Sequence, residues 1–190
     1  MGRSTVQQLI TRAQNMNSYN NSGVESNIQW VDFFNEALVQ MVDDLNLEEV
    51  YEIPYTLDQR EYTLPDDFYG LLLVNDLSKK TRLAARRNYD QVYPYGYWIM
   101  DKGSHFALDV VHSNPTTLQI LYKRYPKQLN IGEIATQKPE VPTVGETALC
   151  FKAINRALLN NNQVEQANYF DELYNREKGV IRTAGTRAKG

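Results

Sequence analysis

A chain of 190 residues with a net charge of −3 and 42% hydrophobic residues has the balance of one folded domain, or of one domain with an insertion. At this size it buries enough surface to need no disulfide or metal. Its single cysteine, Cys150, excludes an intrachain disulfide and cysteine-rich metal motifs, and cytoplasmic assembly is the expectation. No apolar run approaches the ~20 residues of a membrane span, and residues 1–20 lack the hydrophobic core of a secretory signal; neither insertion nor export is expected.

The first helix signal is Ser4 with Gln7, a capping-box spacing, followed by the apolar stripe Val6, Leu9, Ile10 and Ala13. Asn15 to Ser26 is polar and aperiodic and reads as a loop. Ser26 and Gln29 repeat the box, and Trp30, Phe34, Ala37, Leu38, Met41, Val42 and Leu45 follow at helical spacing.

From Val50 to Tyr125 short β-branched and aromatic segments are broken by Pro, Gly, Asn and Asp. Strands are expected at Val50 to Leu57, Glu61 to Leu64, Leu71 to Asp76, Tyr95 to Asp101, His105 to Val111 and Thr117 to Tyr125. Asp101-Lys102-Gly103-Ser104 reads as a hairpin turn and His112 to Thr116 as the next connection, so a meander is expected.

Pro126 to Pro142 reads as a linker, ending at a third capping box, Thr143 with Glu146. Ala148, Leu149, Ala153, Ile154, Ala157 and Leu158 then mark one helix, Asn160 to Asn162 a turn, and Val164, Ala167, Tyr169, Phe170, Leu173 and Tyr174 a second helix, together a helical hairpin. Gly179 is expected to end it, leaving Val180 to Gly190 as an extended, basic arm that is mobile on its own. The fold class is therefore α+β: terminal helices forming a bundle, a β-rich insertion of hairpins or a meander, and the extended arm. The expected divisions are 1–49, 50–126, 127–142, 143–179 and 180–190.

Charge is unevenly placed. Between Arg12 and Arg60 there is no Lys or Arg, while Asp32, Glu36, Asp43, Asp44, Glu48, Glu49 and Glu52 are acidic; Lys79, Lys80, Arg82, Arg86 and Arg87 form a basic block. The inventory for catalysis is thin. His105 and His112 are the two histidines, too few for a zinc site without further ligands. Cys150 sits among Leu149 and Phe151 and reads as a small core residue. The pairs Asp43-Asp44, Glu48-Glu49 and Asp66-Asp67 point in divergent directions and read as solvating charge or a turn. Neither G-x-x-x-x-G-K-[ST] nor G-x-G-x-x-G occurs. Tyr89, Tyr93, Tyr95, Tyr97 and Trp98 beside the basic block could stack bases, but the acidic whole, with pI near 5.5, and the alternation of Tyr95, Tyr97 and Ile99 favour a strand face.

Three segments in chain order carry a resemblance: Trp30-Val31-Asp32-Phe33-Phe34-Asn35-Glu36-Ala37-Leu38, Tyr62-Thr63-Leu64-Pro65-Asp66-Asp67-Phe68, and Leu118-Gln119-Ile120-Leu121-Tyr122-Lys123-Arg124-Tyr125-Pro126. From Gln29 to Gly179 the chain resembles the head-to-tail connector adaptors of tailed bacteriophages. The resemblance implies a non-enzymatic neck protein of the virion, without cofactor or metal, assembled in the host cytoplasm. It implies a ring, commonly of twelve copies, that binds the portal protein and tail (nozzle or stopper) proteins and passes genomic DNA without sequence-specific contact. In such adaptors the C-terminal segment reaches the portal, which would give Val180, Ile181, Arg182, Arg187 and Lys189 a docking role. A ring also gives the charge blocks a use, with Asp32, Glu36 and Asp43 facing Lys79, Lys80, Arg82, Arg86 and Arg87 of a neighbour or of the tail. The alternatives are another tail-completion or tail-tube subunit, or a wall-degrading or nucleic-acid-binding accessory protein.

Overall fold

The computed structural model describes residues 2–17, 26–56, 59–85, 96–100, 105–109 and 117–187. The chain is α+β and divides into two compact units: a helical unit of Met1–Asn46 with Pro126–Gly190, and a strand unit of Leu47–Tyr125.

The helical unit contains α1 (Val6–Met16), α2 (Asn27–Gln40), the short α3 (Val42–Leu45), α4 (Glu146–Asn160) and α5 (Val164–Arg187), with 3-10 turns at Ile131–Glu133 and Thr143–Gly145. Helix α4 is the hub, in contact with α1, α2 and α5. Its small residues explain why: Ala148, Cys150, Ala153 and Ala157 are fully buried and let three helices approach closely, while Leu149 and Ile154 fill the space between. Trp30, Phe34, Leu38 and Met41 of the α2 region and Leu9 and Ile10 of α1 complete the core.

The helix starts follow capping chemistry with two revisions. Ser26 and Gln29 form the expected box at α2. At α1 the box is Thr5 with Gln8, one residue later than the Ser4–Gln7 spacing suggested. The expected Thr143–Glu146 box does not form: Thr143 opens a 3-10 turn, and α4 begins after Gly145 with no side-chain cap. One interaction causes both shifts. The Glu146 carboxylate accepts from the Ser4 backbone N–H and from the Ser4 hydroxyl, each at 2.6 Å, and charge-assisted bonds of this kind outweigh a local neutral cap.

The turn between α4 and α5 falls where expected, with Asn162 in the left-handed region at φ 57, a conformation asparagine tolerates. The end of α5 is a correction. It does not stop at Gly179 but runs on to Arg187, so the segment after Val180 is helical, not extended, through Arg187. A Cβ at Gly179 would meet nothing within 4 Å, so this glycine faces open space and costs the helix only ~1 kcal/mol. Beyond it, Ile181 is buried to 1% exposure, lying where a Cβ on Gly145 would approach its Cγ1 to 3.2 Å. Apolar burial therefore carries the helix past the glycine.

The strand unit holds two four-stranded sheets rather than the expected meander. The first contains β1 (Glu48–Pro54), β3 (Phe68–Asp76), β4 (Thr81–Arg82) and β8 (Thr117–Arg124) in the order β1-β8-β3-β4, antiparallel throughout. The second contains β2 (Glu61–Thr63), β5 (Ala84–Ala85), β6 (Gly96–Met100) and β7 (His105–Leu108) in the order β2-β7-β6-β5, with β5 parallel to β6. Both sheets contribute to one core: Ile53, Val74, Leu118, Ile120 and Tyr122 from the first, Tyr62, Tyr97, Phe106 and Leu108 from the second. Tyr62 stacks on Phe106 at 5.4 Å and Phe68 on Tyr122 at 5.8 Å. The meander fails at β8, which pairs with β1 on one side and β3 on the other rather than with β7. Met100 pairs with His105 across the expected 101–104 turn, which lies outside the described residues, as does 112–116.

Candidate interaction surfaces

Most sequence-expected chemistry is absorbed by packing. Cys150 is fully buried, its Sγ donating to the Leu9 carbonyl at 3.8 Å, and burial pushes its thiol up to about 12; it is a core residue, not a nucleophile. Asp67 accepts from the Tyr122 hydroxyl at 2.9 Å and serves a turn. Tyr97 is in the core, where burial raises its hydroxyl, and so offers no stacking face; Tyr89, Tyr93, Tyr95 and His112 lie outside the described residues. Among the described residues no group of His, Cys, Asp and Glu is placed to hold a metal ion, and no helix is long and apolar enough to cross a membrane.

The acidic block is not uniformly solvated. Asp44 is 7% exposed and accepts from the Tyr174 hydroxyl and, at 2.6 Å, from Arg182 Nε. Burial, then the Asp44 carboxylate, raise the Tyr174 hydroxyl. This triad ties α3 to the far half of α5. Sequence reasoning placed Asp44 on a solvated face and Arg182 on a free arm; the signal available was the helical register of Tyr174, Ile181 and Arg182, hidden by Gly179. Glu36 accepts from Arg156 Nε at 2.6 Å, joining α2 to α4. Asp32 and Asp43 are exposed. Glu146, 3% exposed, also pairs with Arg12 at 3.4 Å.

Beside the Glu36–Arg156 pair a 340 Å³ groove opens between α2 and the 126–128 segment, lined by Leu38, Val39, Pro126 and Lys127 among others. Asn35 fixes that segment, donating to the Leu129 carbonyl at 3.1 Å and accepting from its N–H at 2.7 Å.

Of the residues expected to dock a partner through the C-terminus, Val180 is 48% exposed, Ile181 is buried and Arg182 is engaged by Asp44. Arg187 is the last residue of α5, and Lys189 lies outside the described residues. Of the basic block, Lys79 and Lys80 lie in the β3–β4 turn, where Asp76 accepts from Ser78 N–H at 3.0 Å and Lys79 N–H at 3.1 Å. Arg82 ends β4, and Arg86 and Arg87 lie outside the described residues.

The three segments that carried the resemblance thus occupy the α2 core, the turn from β2 into β3, and β8 with its exit, spanning both units. The family model of the SU10 adaptor protein matches residues 4–189. The chain belongs to the SU10 adaptor protein family. No curated protein matches it in a sequence search. As an SU10 adaptor family member the chain is a structural adaptor of a phage virion, made to contact other virion proteins. The surfaces left outward fit that role: exposed Tyr169 and Val180 on α5, Ile28 and Val39 on α2, and Val50 and Tyr51 on β1.

Proposed function

We propose that this adaptor is a ring subunit of the phage neck, joining the portal to the tail and letting genomic DNA pass without sequence-specific contact. The observation that carries the reading is the family match over residues 4–189, and the outward apolar and charged positions of α2, α5 and β1 support it. Twelve copies is the count the resemblance implies.

Portal docking is assigned to the C-terminal segment, with Val180, Arg187 and Lys189 as the proposed portal contacts and Ile181 and Arg182 anchoring α5. Cations at a helix C-terminus are also favoured by the helix dipole, and against an acidic portal surface they steer encounter. Ring or tail contacts are assigned to the acidic positions Asp32, Glu36 and Asp43 and to the basic Lys79, Lys80, Arg82, Arg86 and Arg87.

The test is mixing with purified portal, read by sedimentation and electron microscopy. The full chain is expected to form a ring on portal. A chain ending at Thr183 keeps Ile181 and Arg182, and hence the fold, and is expected to lose portal binding. Retained binding by the shortened chain defeats the C-terminal assignment, and no binding by the full chain defeats the neck reading.

A further inference from the structure

The two edges of the first sheet are built as opposites. Sheet order puts β1 at one edge and β4 at the other. β1 carries Glu48, Glu49 and Glu52, while β4 and the turn before it carry Lys79, Lys80 and Arg82. β1 is seven residues long and exposes Val50 at 53% and Tyr51 at 43%. A long edge strand with exposed apolar side chains is a template for pairing with another strand.

The register makes the two edges match. Glu52 pairs with Gln119, Gln119 with Asn75, and Asn75 with Arg82, so these four residues form one row across the sheet with an anion at one end and a cation at the other. Side-chain amides link the interior of the row: Gln119 Nε2 donates to Glu52 at 3.3 Å and Asn75 Nδ2 to Gln119 at 3.5 Å.

Backbone phase follows from three bonds in the same registers. Arg124 N–H donates to the Leu47 carbonyl at 3.0 Å, Leu77 N–H to Thr117 at 3.0 Å and Leu83 N–H to Val74 at 2.8 Å. In an antiparallel pair hydrogen-bonded and non-hydrogen-bonded positions alternate. Glu52 therefore falls at a non-bonded position toward β8, and Arg82 at one toward β3. The N–H and C=O of both residues point out of the sheet, at opposite edges and in the same row.

Direction agrees as well. With four strands alternating, β1 and β4 run oppositely, so a neighbour related by rotation would lay its β1 antiparallel to β4 and extend the alternation. We propose that β1 of one copy adds to β4 of the next, continuing the sheet head to tail with Glu52 facing Arg82. A contact between two different surfaces of the same chain repeats from copy to copy and closes when the rotation does. The inference rests on the ring reading above and specifies how neighbours touch.

The test uses the full chain with Cys150 left in place, since it is buried. Paired antiparallel positions lie ~5 Å apart at Cα, within disulfide reach. Glu52→Cys and Arg82→Cys chains, assembled together and oxidised, are expected to give a cross-linked dimer that neither gives alone, and the double variant a ladder of multimers. Glu52→Arg is expected to weaken self-association by about tenfold, which corresponds to ~1.4 kcal/mol, and Glu52→Arg with Arg82→Glu to restore it. Wild-type assembly, alone or on portal, is followed in parallel by sedimentation. Assembly without the cross-link, or without rescue by the double charge swap, overturns the edge pairing and leaves the ring. A wild type that stays monomeric under both conditions overturns the ring and the pairing with it.

Discussion

The helical unit and the strand unit differ in where charge acts. In the helical unit three acids tie distant segments together, two of them buried: Asp44 holds Arg182 and Tyr174, Glu146 holds Ser4 and Arg12, and the exposed Glu36 holds Arg156. In the strand unit apolar and aromatic side chains make the core, Asp67 and the buried Asp76 serve local turns, Glu49 pairs with Arg124 at 2.8 Å, and the remaining acids of β1 and the bases of β4 and its turn lie at opposite edges of one sheet. Where charge closes a fold, removing it costs stability; where charge lines an edge, removing it should cost association and leave the fold standing.

The largest expected effect is on the strand core. Ile120→Ala, at a fully buried position of β8, should destabilise that unit by about 3 kcal/mol through lost burial and a residual cavity, read as lost amide protection in β1, β3 and β8. Asp44→Ala should cost the helical unit a similar or slightly smaller amount, ~3 kcal/mol, because it strands the Tyr174 hydroxyl and frees Arg182. Its signature is lost protection at the far end of α5 with β8 unchanged; protection lost equally in both units would break the comparison.

Gly145→Ala should cost ~1–3 kcal/mol. A Cβ there would sit 2.9 Å from Val141 Cγ1 and 3.2 Å from Ile181 Cγ1, so the change should displace the last turns of α5, measurable as a fall in melting temperature and faster proteolysis after Gly179. The smallest effect is alkaline. Cys150 is raised from 9.0 to about 12, so the unfolded thiol ionises first. Stability is full below pH ~9 and declines as pH rises from there toward 12. Cys150→Ala should flatten that decline in urea titrations between pH 9 and 10.5.

Much of the helical unit could be read from periodicity, since Trp30, Phe34, Ala37 and Leu38, like Leu149, Ala153 and Ala157, mark buried faces that local spacing determines. The reading failed where a distant partner outbid a local rule. Glu146 left the Thr143 box for Ser4, and Ile181 carried α5 past a glycine that looked like a stop. In the strand unit the segments were legible but their neighbours were not: alternation says which side chains face the core, not which strand lies alongside, and β1 pairs with β8 across nearly the whole unit. The charge blocks were visible in sequence, but the acids singled out there, Asp32, Glu36 and Asp43, belong to the helical unit and not to the sheet edge. The row from Glu52 to Arg82 required the register.

The bond from Arg124 N–H to the Leu47 carbonyl clasps the two ends of the strand unit side by side. A segment whose first and last residues already touch is a cassette: it can be lengthened, exchanged or excised at one seam without asking its host to span a gap. In this adaptor the chain enters and leaves its strand unit on paired neighbouring strands.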